Sequence, residues 1–80
     1  MARESIRRSM RVLGITQAEV AEASGLSEAA VSRQFSGELR LSDTVRQTAL
    51  RLIRERAITL GQEIVAHFGM SADFDEGLEE

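Results

Sequence analysis

The side chains best suited to chemistry lie along a predicted helix where small polar residues and one arginine recur at close intervals. Hydroxyl, carboxylate and guanidinium groups can hydrogen-bond to the edges of DNA bases, and a small apolar residue among them leaves room for close approach. The predicted face consists of Ser27, Glu28, Ala29, Ser32, Arg33 and Ser36. The pattern therefore predicts a surface for reading a DNA groove, whose chemistry is hydrogen bonding and not catalysis.

Covalent and metal chemistry find little support in the sequence. It shows no paired carboxylates, no nucleophile beside a base and no glycine-rich phosphate loop. It has no cysteine, and its one histidine, His67, lies in an apolar stretch where we expect a packed or surface side chain. We therefore expect no enzyme activity, no metal or other cofactor and no small-molecule effector.

Signals at helix ends place the first two helices. The first helix is predicted from about Arg3 to Leu13, before a glycine suited to a left-handed cap. The second begins at the N-cap Thr16, and Glu19 three residues later completes the pattern of a capping box. It is expected to end at Ser24, next to a second glycine.

That second glycine, Gly25, permits the tight turn of a helix-turn-helix unit. Ser27 is a favourable N-cap for the third helix, which we expect to reach Phe35 or Ser36. The small Ala21 lets the second and third helices cross closely. The side chains expected to face the core, with Ala30 beside them, are Ile6, Met10, Leu13, Val20, Ala23, Leu26, Val31 and Phe35.

The longest apolar stripe follows the N-cap Ser42 and repeats at helical spacing for about six turns. Thr59 could begin another capping box, so one continuous or kinked helix and two shorter helices are both open; we favour the first. A chain of 80 residues without disulfides buries a small core, so we expect residues 57–68 to pair with a second copy. The stripe consists of Val45, Ala49, Leu52, Ile53, Ala57, Leu60, Ile64 and Phe68.

The predicted fold is all-α: a compact helix-turn-helix bundle of four to five helices with a long C-terminal helical segment. We expect one domain over residues 1–69, followed by an acidic, flexible tail over 70–80. No apolar run approaches the roughly 20 residues that cross a membrane, and the N-terminus lacks the apolar stretch of a secretory signal. We therefore expect no membrane association and a cytoplasmic location.

The formal net charge of −3 hides an asymmetry along the chain. Residues 1–56 hold ten arginines and seven acidic residues, a net +3, whereas residues 57–80 hold six acidic residues and no base, a net −6. A basic body favours contact with DNA phosphates. The exclusive use of arginine suits forked contacts to guanine and phosphate, although a GC-rich genome would give the same bias. Arg3, Arg7 and Arg11 form either a solvated face or phosphate contacts.

Three segments resemble known DNA-binding families. The run from Thr16 to Ala21, Thr-Gln-Ala-Glu-Val-Ala, resembles the opening of the helix-turn-helix in phage repressors of the lambda repressor and Cro type. The segment from Val20 to Ser27, with the later Val-Ser-Arg at 31–33, is similar to the headpiece of the lac repressor family, as is Leu-Ser-Asp-Thr-Val-Arg at 41–46. The resemblance covers roughly residues 4–56.

The resemblance implies roles for individual residues. Gln17 would hold a phosphate, the start of the third helix would face bases, and Ser42 would offer its backbone N–H to a phosphate. Glu28 departs from the pattern, because a neutral residue is common there; it could accept from cytosine, pair with Arg33 or face outward. Gln34 occupies a position that is often apolar, so Phe35 would carry that packing. The full expected DNA-binding set is Thr16, Gln17, Ser27, Glu28, Ala29, Ser32, Arg33, Ser36, Arg40 and Ser42.

The expected function is that of a phage or bacterial transcriptional regulator that binds double-stranded DNA. A homodimeric repressor would place two recognition helices, each over residues 27–36, in successive major grooves of an inverted-repeat operator. The alternative is a protein-interaction module, such as an antitoxin or anti-activator that uses the same helices. The acidic tail favours that alternative.

Overall fold

The computed structural model describes residues 2–68, which form four α-helices and, within that range, no strand. The all-α prediction is confirmed, and the described part of the chain has four helices, the last of them long. The tail expected over residues 70–80 lies outside the described residues. The bounds of the helices are α1 Arg3–Leu13, α2 Gln17–Ser24, α3 Glu28–Ser36 and α4 Asp43–Phe68.

The joint between α2 and α3 is a tight turn at Gly25. This residue has a φ of +73°, a left-handed conformation that a residue without a Cβ adopts at little cost. The N–H of Leu26 donates to the carbonyl of Ala21 at 3.1 Å, which closes the end of α2. The two helices are thus connected by the short glycine turn that the sequence predicts.

Hydroxyl side chains begin three of the four helices. Thr16 Oγ1 accepts the backbone N–H of Glu19 at 3.1 Å, and Glu19 Oε1 accepts the backbone N–H of Thr16 at 3.1 Å. This is the predicted capping box. The hydroxyl of Ser27 caps α3 at 3.1 Å, and that of Ser42 accepts a first-turn N–H of α4 at 3.2 Å.

The core is a small aliphatic cluster with one phenylalanine, and all four helices contribute to it. Burying side chains of this kind contributes on the order of 2 kcal/mol each. Partly buried leucines and isoleucines surround the cluster: Leu13, Leu41, Leu50, Leu52 and Ile53. The buried residues are Ile6, Met10, Ile15, Val20, Ala21, Val31, Phe35, Val45 and Ala49.

Two residues expected in the core lie outside it. Ala23 is exposed, because the inward face of α2 is centred between Val20, Ala21 and the half-buried Ser24. That rotation turns Ala23 toward solvent. Leu26 is 39% exposed, because it lies in the turn between α2 and α3 and only borders the cluster.

Helix α4 is one unbroken helix of 26 residues, roughly 39 Å long. The continuous alternative is therefore confirmed, and no break occurs at Thr59. Its first half packs on α1 and α2 through Val45 and Ala49. Residues 57–67, called the arm from here on, are all exposed. In the described part of the chain, no helix is both long and apolar enough to cross a bilayer.

A polar clamp at Arg56 fastens three helices together. One guanidinium nitrogen, Nη2, donates to Glu19 Oε2 at 2.6 Å, and the other, Nη1, donates to the carbonyl oxygen of Leu13 at 3.1 Å. Glu19 belongs to the capping box of α2, and Leu13 is the last residue of α1. Arg56 therefore ties α4 to the end of α1 and the start of α2.

The clamp and the capping box favour the charged form of one carboxylate. The backbone N–H of Thr16 lowers the pKa of Glu19 below its ordinary value, and the charge and hydrogen bond of Arg56 act in the same direction against partial desolvation. Glu19 is consequently ionised at neutral pH and accepts from both partners.

Replacing Glu19 by glutamine tests this arrangement, because it removes the charge while keeping an acceptor in the capping box. Since the pKa of Glu19 is lowered in the folded chain, its charge stabilises the fold at pH values above those at which an ordinary glutamate titrates. This contribution is lost as the pH falls through the lowered pKa. We expect Glu19→Gln to lower the melting temperature near about pH 7 and the difference from the parent to shrink toward about pH 3. Thermal unfolding followed by circular dichroism measures it.

Glu22→Gln is the matched control, because Glu22 lies exposed on the same helix. It should change the melting temperature little at any pH. A Glu19→Gln deficit that stays constant across the pH range would contradict the proposed role of the charge.

Candidate nucleic-acid interface

Helix α3 is held in the fold by one face and presents the other to solvent. Val31 and Phe35 are fully buried, and Gln34 is 8% exposed. The opposite face is the predicted one, and all six of its members are exposed: Ser27, Glu28, Ala29, Ser32, Arg33 and Ser36. The outward face has no large apolar side chain, which suits approach to base edges in a major groove.

The hydroxyl groups of this face differ in how far they are already hydrogen-bonded within the chain. Ser36 Oγ donates to the carbonyl of Arg33 at 3.0 Å and accepts the N–H of Glu38 at 3.4 Å, so it is committed to the end of α3. Ser27 Oγ accepts the N–H of Ala30 at 3.1 Å and keeps its own proton for a further acceptor.

Glu28 and Arg33 do not pair with each other in the part of the chain that the structure describes. The pairing of Glu28 with Arg33 is therefore not observed, and Glu28 is exposed. A free carboxylate and a free guanidinium therefore stand on the same face, an acceptor and a forked donor.

Gln34 has a role that the sequence did not predict. It is buried beside Phe35, and its Oε1 accepts the backbone N–H of Ser42 at 2.9 Å. The packing at this position is therefore shared by both side chains and not carried by Phe35 alone. The bond joins α3 directly to the start of α4.

The same bond corrects the expected role of Ser42. Its backbone N–H was expected to hold a phosphate, but Gln34 already accepts it. The hydroxyl of Ser42 is also engaged, as the cap of α4. Sequence reasoning missed the pairing because a glutamine in an otherwise apolar core position is the only signal for it.

The far end of α3 is covered by Arg3. A Cβ built on Gly37 would lie 2.9 Å from Nη1 and 3.0 Å from Nη2 of Arg3, so the guanidinium packs directly on this glycine. Gly37 has a φ of +90° and ends the helix. A cation at a helix C-terminus is favourable. Arg3 is half-buried here, so it is neither a solvated residue nor one freely offered to DNA.

Two further groups of polar residues lie outside α3. At the start of α2, Gln17 lines a shallow notch with Arg7 and Arg11 of α1. Arg7 also pairs with Glu4 at 3.7 Å, whereas Arg11 is exposed. Thr16, the residue before Gln17, is exposed, and its hydroxyl oxygen is engaged in the capping box.

The second group surrounds the start of α4. Arg40 is exposed and shares a groove with Ser42, Asp43 and Arg46. The expected DNA-binding residues thus divide between the outward face of α3 and these two flanking positions. Among the described residues, no group of three or more histidine, aspartate or glutamate side chains is placed to hold a metal ion.

Replacing Gln34 tests the link between α3 and α4. Gln34→Leu keeps an apolar volume but leaves the N–H of Ser42 without its acceptor, at a cost of about 1–3 kcal/mol. Gln47→Leu is the matched control, because it makes the same change at an exposed glutamine of α4. Urea unfolding should show the larger loss of stability for Gln34→Leu. Equal stability of Gln34→Leu and the parent would contradict the role assigned to this bond.

Comparison with known proteins gives no relative: no protein-family model matches the chain, and neither a curated protein nor a solved structure matches it. The chemistry of the exposed α3 face is therefore the basis for assigning a function.

Proposed function

We propose that this chain is a sequence-specific DNA-binding regulator of phage or bacterial origin that acts in the cytoplasm as a homodimeric repressor. One observation carries the proposal. Helix α3 is fixed by Val31, Gln34 and Phe35, while its other face exposes small side chains, one carboxylate and one guanidinium. A rigidly held helix with such a face suits readout of base edges in a major groove.

The chemistry of the face suggests a division of labour. Arg33 can make a forked contact to the two acceptors of a guanine. Glu28 can accept from the amino group of a cytosine, and Ala29 can contact a thymine methyl. Ser27 and Ser32 add short hydroxyl contacts to bases or to the nearby backbone.

Phosphate contacts would come from the two flanking groups. Gln17 at the start of α2 lies beside Arg11 of α1, and Arg40 lies before α4. These residues would fix the register of the protein on the duplex without reading sequence. Ser42 shares a groove with Arg40 and can donate its hydroxyl proton there, whereas its backbone N–H is bonded to Gln34.

A homodimer would present two copies of α3 about 34 Å apart, so that an inverted repeat is bound. Occupying a promoter with such a dimer is sufficient for repression. The exposed apolar residues of the arm support association with a second copy.

Salt dependence distinguishes DNA binding from the protein-interaction alternative. A dimer that neutralises six to ten phosphates should lose roughly 10³–10⁵ in affinity between about 50 and 200 mM salt. Selection of bound sites from random DNA supplies the ligand, and fluorescence anisotropy measures the affinity. We expect the selected sites to form a two-fold repeat. Failure to enrich any site, together with a salt-insensitive protein complex, would refute the proposal in favour of the alternative.

Arginine substitutions separate base readout from phosphate contact. Arg33→Ala should cost about 1–3 kcal/mol per half-site and relax the preference at one base position of each half-site. Arg40→Ala should weaken binding to all sequences alike and reduce the salt slope by about 2, since each subunit loses one phosphate contact. The two variants control for each other, because both side chains are exposed arginines. If Arg33→Ala weakened all sequences equally, its role would be a phosphate contact.

A further inference from the structure

The arm leaves large apolar side chains without cover. Ile58 is 55% exposed, Leu60 45%, Ile64 40% and Val65 43%. The globular part of the chain contacts only the first half of α4, so no other described helix lies against them. An exposed apolar surface of this extent marks an interaction site.

The apolar residues of α4 follow the repeat of a helix pair. Leu50, Ile53, Ala57, Leu60 and Ile64 are separated alternately by three and four residues. This is the spacing that lets two helices interlock along a seam. The seam begins on residues that are half-buried against the body and continues without interruption along the arm.

A second uncovered surface adjoins the start of the seam. Val12 of α1 is 77% exposed, the highest value among the exposed large apolar residues. It lines a groove between α1 and α4 with Arg8, Leu13 and Ile53. Because Ile53 belongs both to the groove and to the seam, the two apolar surfaces form one continuous strip.

We propose that two copies of this chain pair their α4 helices antiparallel, so that the arm of each lies in the α1–α4 groove of the other. In this register Ala57 packs against Leu60 of the partner subunit, and Ile53 packs against the partner's Ile64. The partner's Ile64 also covers Val12. This pairing specifies the geometry of the homodimer proposed above, and its biological role rests on that proposed function.

Charge favours the antiparallel direction. Arg56 and Glu63 lie seven residues apart on the same edge of the seam. In an antiparallel pair like edges meet, so the partner's Glu63 approaches Arg56, which is bonded to Glu19 and is still 39% exposed. In a parallel pair, Arg56 faces the opposite edge of the partner, where Gly61 offers no charge.

Coverage of Val12 also favours this direction. A parallel pair joins each residue of the arm to its own counterpart, which leaves the groove at Val12 open. The antiparallel pair carries the end of each arm to the partner's α1 and so covers Val12.

Disulfide trapping tests the direction, because the chain has no cysteine of its own. Chains carrying Val12→Cys and Ile64→Cys are given tags of different mass, mixed and oxidised without DNA. A disulfide requires Cα atoms within about 7 Å. We expect the mixed disulfide as the main product. Thr59→Cys replaces Ile64→Cys as the control, because Thr59 lies on the other side of the arm.

Each alternative result has a defined meaning. Predominant self-linking of Ile64→Cys would overturn the proposal in favour of a parallel pair. Mixed product no greater than with Thr59→Cys, or a monomer in sedimentation experiments on the parent chain, would overturn it as well. DNA selection gives an independent readout. Enrichment of a two-fold site with parallel linking refutes only the pairing, whereas antiparallel linking without any enriched site refutes only the DNA-binding function.

Discussion

The contact between Arg56 and Glu19 is the constraint on which the arrangement of α1, α2 and α4 depends. The core is small, and aliphatic packing alone tolerates sliding of one helix over another. The forked donor of Arg56 reaches a carboxylate at the start of α2 and a carbonyl at the end of α1, and both bonds are directional. They fix where α4 lies along the other two helices, and the capping box holds the carboxylate in place for them.

The orientation of α3 depends on a second layer of polar contacts. Gln34 joins its buried face to the start of α4, and Arg3 covers its C-terminal glycine. Val31 and Phe35 supply the burial between these points. The helix that carries the candidate binding face is therefore held along one side and at one end, which leaves its N-terminal half accessible. Preorganisation of this kind lowers the entropic cost of binding.

The sequence predicts the features that depend on close neighbours. The capping box at Thr16 and Glu19 and the turn at Gly25 each involve a few adjacent residues, so their signals are complete in the sequence. The exposed face of α3 follows from helical periodicity. Periodicity defines a helical face without its exact rotation, and Ala23 was placed inside for that reason. The pair Gln34–Ser42, eight residues apart, and the pair Arg56–Glu19, 37 residues apart, require the relative placement of separate helices.

The unbroken course of α4 has a mechanical consequence. In a dimer joined through the arm, α4 is a stiff lever whose other end is pinned to α3 by Gln34. One base pair inserted between the half-sites rotates the second half-site by about a tenth of a turn of the DNA helix. A stiff α4 could not bend to follow that rotation. A dimer that binds DNA in this way would consequently tolerate little change in the distance between half-sites, and the length of α4 would set that distance.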